Sequence, residues 1–69
     1  MNKYDLFNQI VLNNGNVRLS PISSKDEAEN LVFLAHQLER EGKISLLKFC
    51  IEKDPIAVSL KTKLIIKAN

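Results

Sequence analysis

The sequence predicts an α+β domain in which two helices pack on a small antiparallel sheet. Residues 25–41 have the end signals and apolar spacing of a helix, and residues 44–66 have the composition of a strand–turn–strand hairpin. An isolated hairpin is marginal in water, so this one must pack on the helices. A chain of 69 residues is long enough for one small domain, which we expect over residues 1–69.

The first helix and a short strand are predicted before residue 20. Residues 3–13 place their apolar side chains on one helical face, with Asn2 as the cap and Asn13-Asn14-Gly15 as the stop. Residues 16–22 are extended, because Val17 and Leu19 alternate there with Arg18. This strand is expected to join the hairpin and complete a three-stranded sheet.

The second helix, over residues 25–41, has a cap signal at each end. Ser24 and Glu27 match a capping box, and Gly42 stands where a left-handed C-cap is expected. On a helical wheel one broad stripe is apolar and is predicted to face the core. It comprises Ala28, Leu31, Leu34, Ala35 and Leu38, with Val32 on its shoulder.

Phe33 lies almost opposite this stripe, beside His36, Gln37 and Arg40. In one interpretation the hairpin or the first helix covers the Phe33 ring. In the other the ring faces solvent in the monomer and contacts a protein partner, a second subunit or a nucleic-acid base. These four residues are therefore the predicted partner-binding site.

The hairpin is predicted as strands 44–51 and 56–66 around a turn at 52–55. Alternation along the second strand separates a core face from an outer face. The core face carries Ile56, Val58, Leu60, Leu64 and Ile66, and the outer face carries Ala57, Ser59, Lys61, Lys63, Ile65 and Lys67. Cys50, in the first strand, is expected to be a buried structural thiol, with an exposed reactive thiol as the alternative.

Composition and motifs argue against several classes of protein. One cysteine cannot form an internal disulfide, which favours a reducing, cytoplasmic location. We expect no secretory leader, and the longest apolar run, of five residues, is far below the roughly 20 of a membrane helix. The residues contain no nucleophile–base pair around His36, no metal-ligand cluster and no phosphate loop, so we expect no enzyme, metal or cofactor.

The segment Leu34-Ala-His-Gln-Leu-Glu-Arg-Glu-Gly-Lys-Ile44, followed by a hairpin, resembles the recognition helix and wing of winged-helix DNA-binding proteins. The resemblance covers residues 16–66. It implies that residues 25–41 take the recognition-helix place, that residues 52–55 form the wing tip and that residues 17–19 supply the third strand. A full winged helix has three helices and this sequence predicts two. The implied domain is therefore a reduced form, suited to single strands or a protein instead of a major groove.

Charge is distributed unevenly along the chain. Residues 1–39 carry a net charge of −2 and residues 40–69 a net charge of +4, which favours an acidic partner for the hairpin. Lys61 and Lys63 lie roughly 7 Å apart on one strand face, close to phosphate spacing along a strand. The predicted nucleic-acid-binding residues are Arg18, Arg40, Lys43, Lys48, Lys53, Lys61 and Lys63.

The sequence thus predicts a small protein that binds single- or double-stranded DNA through a basic hairpin. Its high content of Asn, Lys and Ile is typical of a phage or mobile-element accessory factor in replication or regulation. An ordinary lysine-rich surface that protects an edge strand would have the same pattern. The rival class is a protein–protein interaction module, such as a dimeric adaptor or inhibitor, that uses the helix surface around Phe33.

Overall fold

The computed structural model describes residues 1–65 and confirms the α+β class. The elements in chain order are α1 (Lys3–Leu12), β1 (Asn16–Leu19), α2 (Lys25–Arg40), β2 (Ile44–Lys53) and β3 (Ile56–Leu64). The strands form one antiparallel sheet in the order β1-β3-β2, so β1 and β2 are its edges. Ile66, the predicted end of the last strand, and Lys67, which the sequence assigned to its outer face, lie outside the described residues.

The hairpin turn is shorter than predicted. Glu52 and Lys53 continue β2 and pair with Ala57 and Ile56, which leaves a turn of two residues, 54–55. Charged side chains at 52 and 53 suggested a turn, but ladder hydrogen bonds use backbone groups and tolerate such side chains at an exposed edge.

Both helices begin at the predicted caps. The Asn2 side chain accepts the N–H of Asp5 at 2.8 Å, and the Ser24 hydroxyl accepts the N–H of Glu27 at 3.1 Å. At the end of α2, Gly42 has a φ of 77°, and the N–H of Lys43 donates to the carbonyl of Leu38 at 3.0 Å. This Schellman arrangement ends the helix and turns the chain into β2.

The core lies between the helices and one face of the sheet. Its buried residues come from all five elements: Leu6, Ile10, Val17, Ala28, Leu31, Val32, Ala35, Leu38, Ile44, Val58 and Leu60. Most of them were predicted by the wheel and the strand alternation, but Leu34, Ile56 and Leu64 are only half-buried, and Ala57, predicted for the outer face, is buried. Thr62 is the one buried polar residue among the described residues. Its hydroxyl and its N–H both donate to the carbonyl of Gly15 at 2.8 Å, which joins the α1–β1 connection to β3.

An irregularity divides β2 into two parts. Leu46 pairs with Thr62 and Lys48 with Lys61, so Leu47 has no partner on β3 and forms a β-bulge. Side chains alternate across a strand, and one extra residue reverses that alternation beyond it. The bulge therefore turns Lys48 and Cys50 to the outer face, away from the helices, and Phe49 and Ile51 to the inner face.

Candidate nucleic-acid interface

Three lysines lie together on the outer face of the sheet. The register places Lys48 directly opposite Lys61, and Lys63 follows Lys61 two residues along β3. All three side chains are exposed. Directly opposed residues have Cβ atoms about 4.5–5.5 Å apart, and alternate residues of a strand are separated by roughly 7 Å. We call Lys48, Lys61 and Lys63 the lysine face.

The lysine face has no acidic partner among residues 1–65. The three ion pairs in this part of the chain join the Met1 N-terminus to Glu27, Lys3 to Glu41, and Arg18 to Glu52. Like charges directly opposite one another destabilise a sheet pair. An anion bound across Lys48 and Lys61 would remove that repulsion.

Arg18 borders the lysine face, but its charge is already matched. Its Nε and Nη2 donate to the two carboxylate oxygens of Glu52 at 3.0 and 3.3 Å. This hydrogen-bonded pair lowers the pKa of Glu52 below its ordinary range and raises that of Arg18. Arg18 pairs with Ser59 and Glu52 with Ala57, so the ion pair joins the two edge strands across β3.

A shallow groove of about 410 Å³ lies on this part of the sheet. Its lining combines the polar residues Asn16, Arg18, Lys48, Ser59 and Lys61 with the apolar or weakly polar residues Val17, Phe49, Cys50 and Leu60. Amide, hydroxyl and ammonium groups are the donors that proteins use on phosphate and sugar oxygens. The groove is open to solvent and suits an extended anionic chain better than an enclosed small molecule.

The other predicted nucleic-acid-binding residues lie apart from the lysine face. Lys43 is exposed before β2, with its ammonium 5.7 Å from the centre of the Phe7 ring. Lys53 is exposed beside the hairpin turn, and Arg40 is exposed in the last turn of α2. The fold brings Lys48 and Lys61 together because they are paired in the sheet, which spacing along the sequence alone does not reveal.

The prediction of a buried Cys50 is wrong, because the thiol is exposed. Cys50 pairs with Ser59, a residue of the outer face, and the bulge at Leu47 sets that orientation. The apolar neighbours of Cys50 suggested burial, but Phe49 and Ile51 project to the opposite side of the strand.

Phe33 is not covered within the described chain. Its side chain is 58% exposed, so the interpretation in which the hairpin or α1 covers it is wrong. His36 is also exposed, and its ring packs edge-on against Phe49 with the ring centres 5.5 Å apart. Gln37 is half-buried, and Arg40 is exposed.

Sequence analysis missed two exposed apolar residues of β2. Leu47 is 58% and Phe49 47% exposed, and the Phe49 ring lies against that of His36 in α2. The available signal was the apolar alternation of residues 44–51, which is regular only if one residue is treated as an insertion.

The exposed surface of α2 carries more acidic than basic residues. Asp26, Glu29 and Glu39 are exposed there, against Lys25 and Arg40. The Glu39 carboxylate also accepts the backbone N–H of Leu46 at 2.8 Å. This helix surface is therefore poorly suited to phosphate, whereas the outer face of the sheet is well suited to it.

Comparisons with known proteins give no relative for this chain: no family model, curated protein or solved structure matches it. Within residues 1–65, no group of three or more His, Cys, Asp or Glu residues is placed to hold a metal ion. None of the helices in the same residues is long and apolar enough to cross a membrane.

Proposed function

We propose that this protein binds nucleic acid through the outer face of its sheet, where Lys48, Lys61 and Lys63 contact successive phosphates. The direct opposition of Lys48 and Lys61, without an acidic partner among residues 1–65, is the observation that carries the proposal. A bound phosphate turns this repulsion into two favourable contacts, and the release of counterions adds to the affinity.

The ligand we favour is a single-stranded or locally opened nucleic acid that lies along the groove. In the winged-helix resemblance α2 takes the recognition-helix place, but three of its five exposed charged residues are acidic. The sheet surface has amide, hydroxyl and ammonium donors, and Phe49 also lines the groove. Phosphate contacts of this kind position a strand without reading its sequence.

Fluorescence anisotropy with labelled single- and double-stranded DNA tests the proposal. For the wild type, log affinity should fall linearly with log salt, with a slope of about 0.7 per contacted phosphate for single strands and 0.9 for duplexes. Replacing Lys48, Lys61 and Lys63 by Gln should reduce the slope by about two units for single strands and nearly three for duplexes, and should weaken binding equally for different sequences.

The matched control is Lys25→Gln, which removes an exposed charge at the start of α2. It should leave the salt slope unchanged. Absence of binding to both DNA forms at low salt, or equal effects of Lys25→Gln and Lys61→Gln, would contradict the proposal.

The exposure of Phe33 favours a second candidate, a protein–protein interaction module. Exposed aromatic residues beside arginine are frequent binding hot spots. Phe33→Ala should lower the free energy of unfolding by less than about 1 kcal/mol while abolishing capture of a partner. Leu31 lies on the opposite, core-facing side of α2 and is 2% exposed. Leu31→Ala should therefore lower the free energy of unfolding by about 2–5 kcal/mol. Equal losses of stability in urea unfolding would show that Phe33 is ordinary core.

A further inference from the structure

The backbone of β2 is open along half of its length. The N–H of Thr62 donates to Gly15 on the β1 side of β3. Backbone groups of successive residues in an antiparallel strand point to opposite sides, so the odd-numbered residues of β3 face β2. Their partners from Lys48 to Glu52 are the even-numbered residues of β2. The N–H and C=O groups of Phe49 and Ile51 consequently point away from the sheet.

The edge of β2 is protected before the bulge at Leu47 and unprotected after it. Near the bulge, Glu39 accepts the N–H of Leu46, and the bulge itself interrupts any regular pairing. Beyond Leu47, neither feature covers residues 48–52. A strand edge with unpaired donors and acceptors is a template for another strand.

The sequence of this open segment, Lys48-Phe-Cys-Ile-Glu52, is complementary to itself when two copies run antiparallel. With Cys50 opposite Cys50 of a second copy, Lys48 lies opposite Glu52 and Phe49 opposite Ile51, each twice by symmetry. Opposite charges and apolar pairs at directly opposed positions stabilise a sheet. The paired Phe49 and Ile51 have outward backbone groups, so their hydrogen bonds fit this register.

We propose that the partner of the β2 edge is a second copy of this chain, joined by antiparallel pairing of residues 48–52 about a two-fold axis at Cys50. The pairing makes one continuous six-stranded sheet. Glu52, which pairs with Arg18 within its own chain, is then shared with Lys48 of the second copy, whose own-chain neighbour is Lys61. The two α2 helices then lie on the same face of the sheet, with Phe49, 47% exposed in the single chain, covered between them.

The proposed interface shares Lys48 with the lysine face, whereas Lys61 and Lys63 lie on β3 and belong to the lysine face alone. Loss of the dimer is therefore measured by solution mass, and loss of DNA binding is measured by anisotropy with Lys61→Gln and Lys63→Gln, which leave the β2 edge unchanged.

Disulfide trapping tests the register. In the proposed register the two Cys50 residues are opposed without mutual hydrogen bonds. The Cα atoms of such a pair lie about 4.5 Å apart, which is inside the roughly 4.4–6.8 Å range of disulfides. Diamide, which is reduced to a hydrazine as two thiols form a disulfide, should convert the wild type rapidly into a covalent dimer. The control Cys50→Ser/Lys61→Cys moves the exposed thiol to β3, away from the edge, and should remain uncrosslinked. Equal crosslinking rates for the two proteins would overturn the proposal.

Charge reversal tests the interface without relying on the cysteine. Lys48→Glu and Glu52→Lys should each weaken the dimer at least about tenfold, because each makes both symmetric pairs repulsive. A mixture of the two variants restores both opposite-charge pairs in a heterodimer and should recover the mass of a dimer in sedimentation equilibrium. Circular dichroism checks that each variant is folded. A wild type that stays monomeric at millimolar concentration, or a mixture that stays monomeric when the wild type dimerises, would refute the pairing.

Discussion

Arg18 and Glu52 show how one pair of residues adds a pH-dependent contact to a small sheet. Their two hydrogen bonds, at 3.0 and 3.3 Å, join β1 to β2 across β3. The lowered pKa of Glu52 means that the pair stabilises the fold above the pKa of this carboxyl in the unfolded chain. That contribution is lost as the pH falls through the lower pKa of the folded state.

Arg18→Gln should raise the pKa of Glu52 towards its ordinary range, because the charged donor is removed. The variant should be less stable than the wild type at neutral pH, and the difference should shrink as Glu52 is protonated. NMR titration of the Glu52 carboxyl carbon and urea unfolding over a pH series measure the two effects. Lys63→Gln removes the same charge without touching Glu52 and serves as the control. A Glu52 pKa that is equal in Arg18→Gln and the wild type would contradict this account.

At the scale of elements, the short strand β1 depends on a close approach between Gly15 and β3. Gly15 has a φ of 95°, and its carbonyl accepts two hydrogen bonds from Thr62. A Cβ at this position would lie 2.4 Å from the carbonyl oxygen of Thr62. Both backbone conformation and space therefore require glycine here.

Gly15→Ala should destabilise the protein by more than the roughly 1–2 kcal/mol of a left-handed alanine, since β1 must also move away from β3. Gly42→Ala, at a φ of 77°, should show the backbone cost alone. Urea unfolding of both variants measures the difference. Similar losses at the two positions would mean that the contact between Gly15 and Thr62 adds no steric requirement.

At the scale of the whole molecule, local signals predicted most of the fold. Capping residues and apolar spacing located both helices, and alternation identified the two faces of β3, because these features depend on near neighbours in the chain. The opposition of Lys48 and Lys61, the exposure of Cys50 and the contact of Thr62 with Gly15 depend on strand register. A one-residue bulge determines that register, and sequence periodicity alone did not locate the bulge.

The bulge also has a consequence for how this chain tolerates changes in length. β2 has ten residues and β3 has nine, and the difference is Leu47. Removal of Leu47 would leave Ile44, Leu46, Phe49 and Ile51 as a strand of unbroken alternation, with every remaining side chain on its present face. Removal of one residue between Lys48 and Glu52 would instead exchange the faces of part of the strand. Shortened relatives of this protein should therefore have lost their residue at position 47.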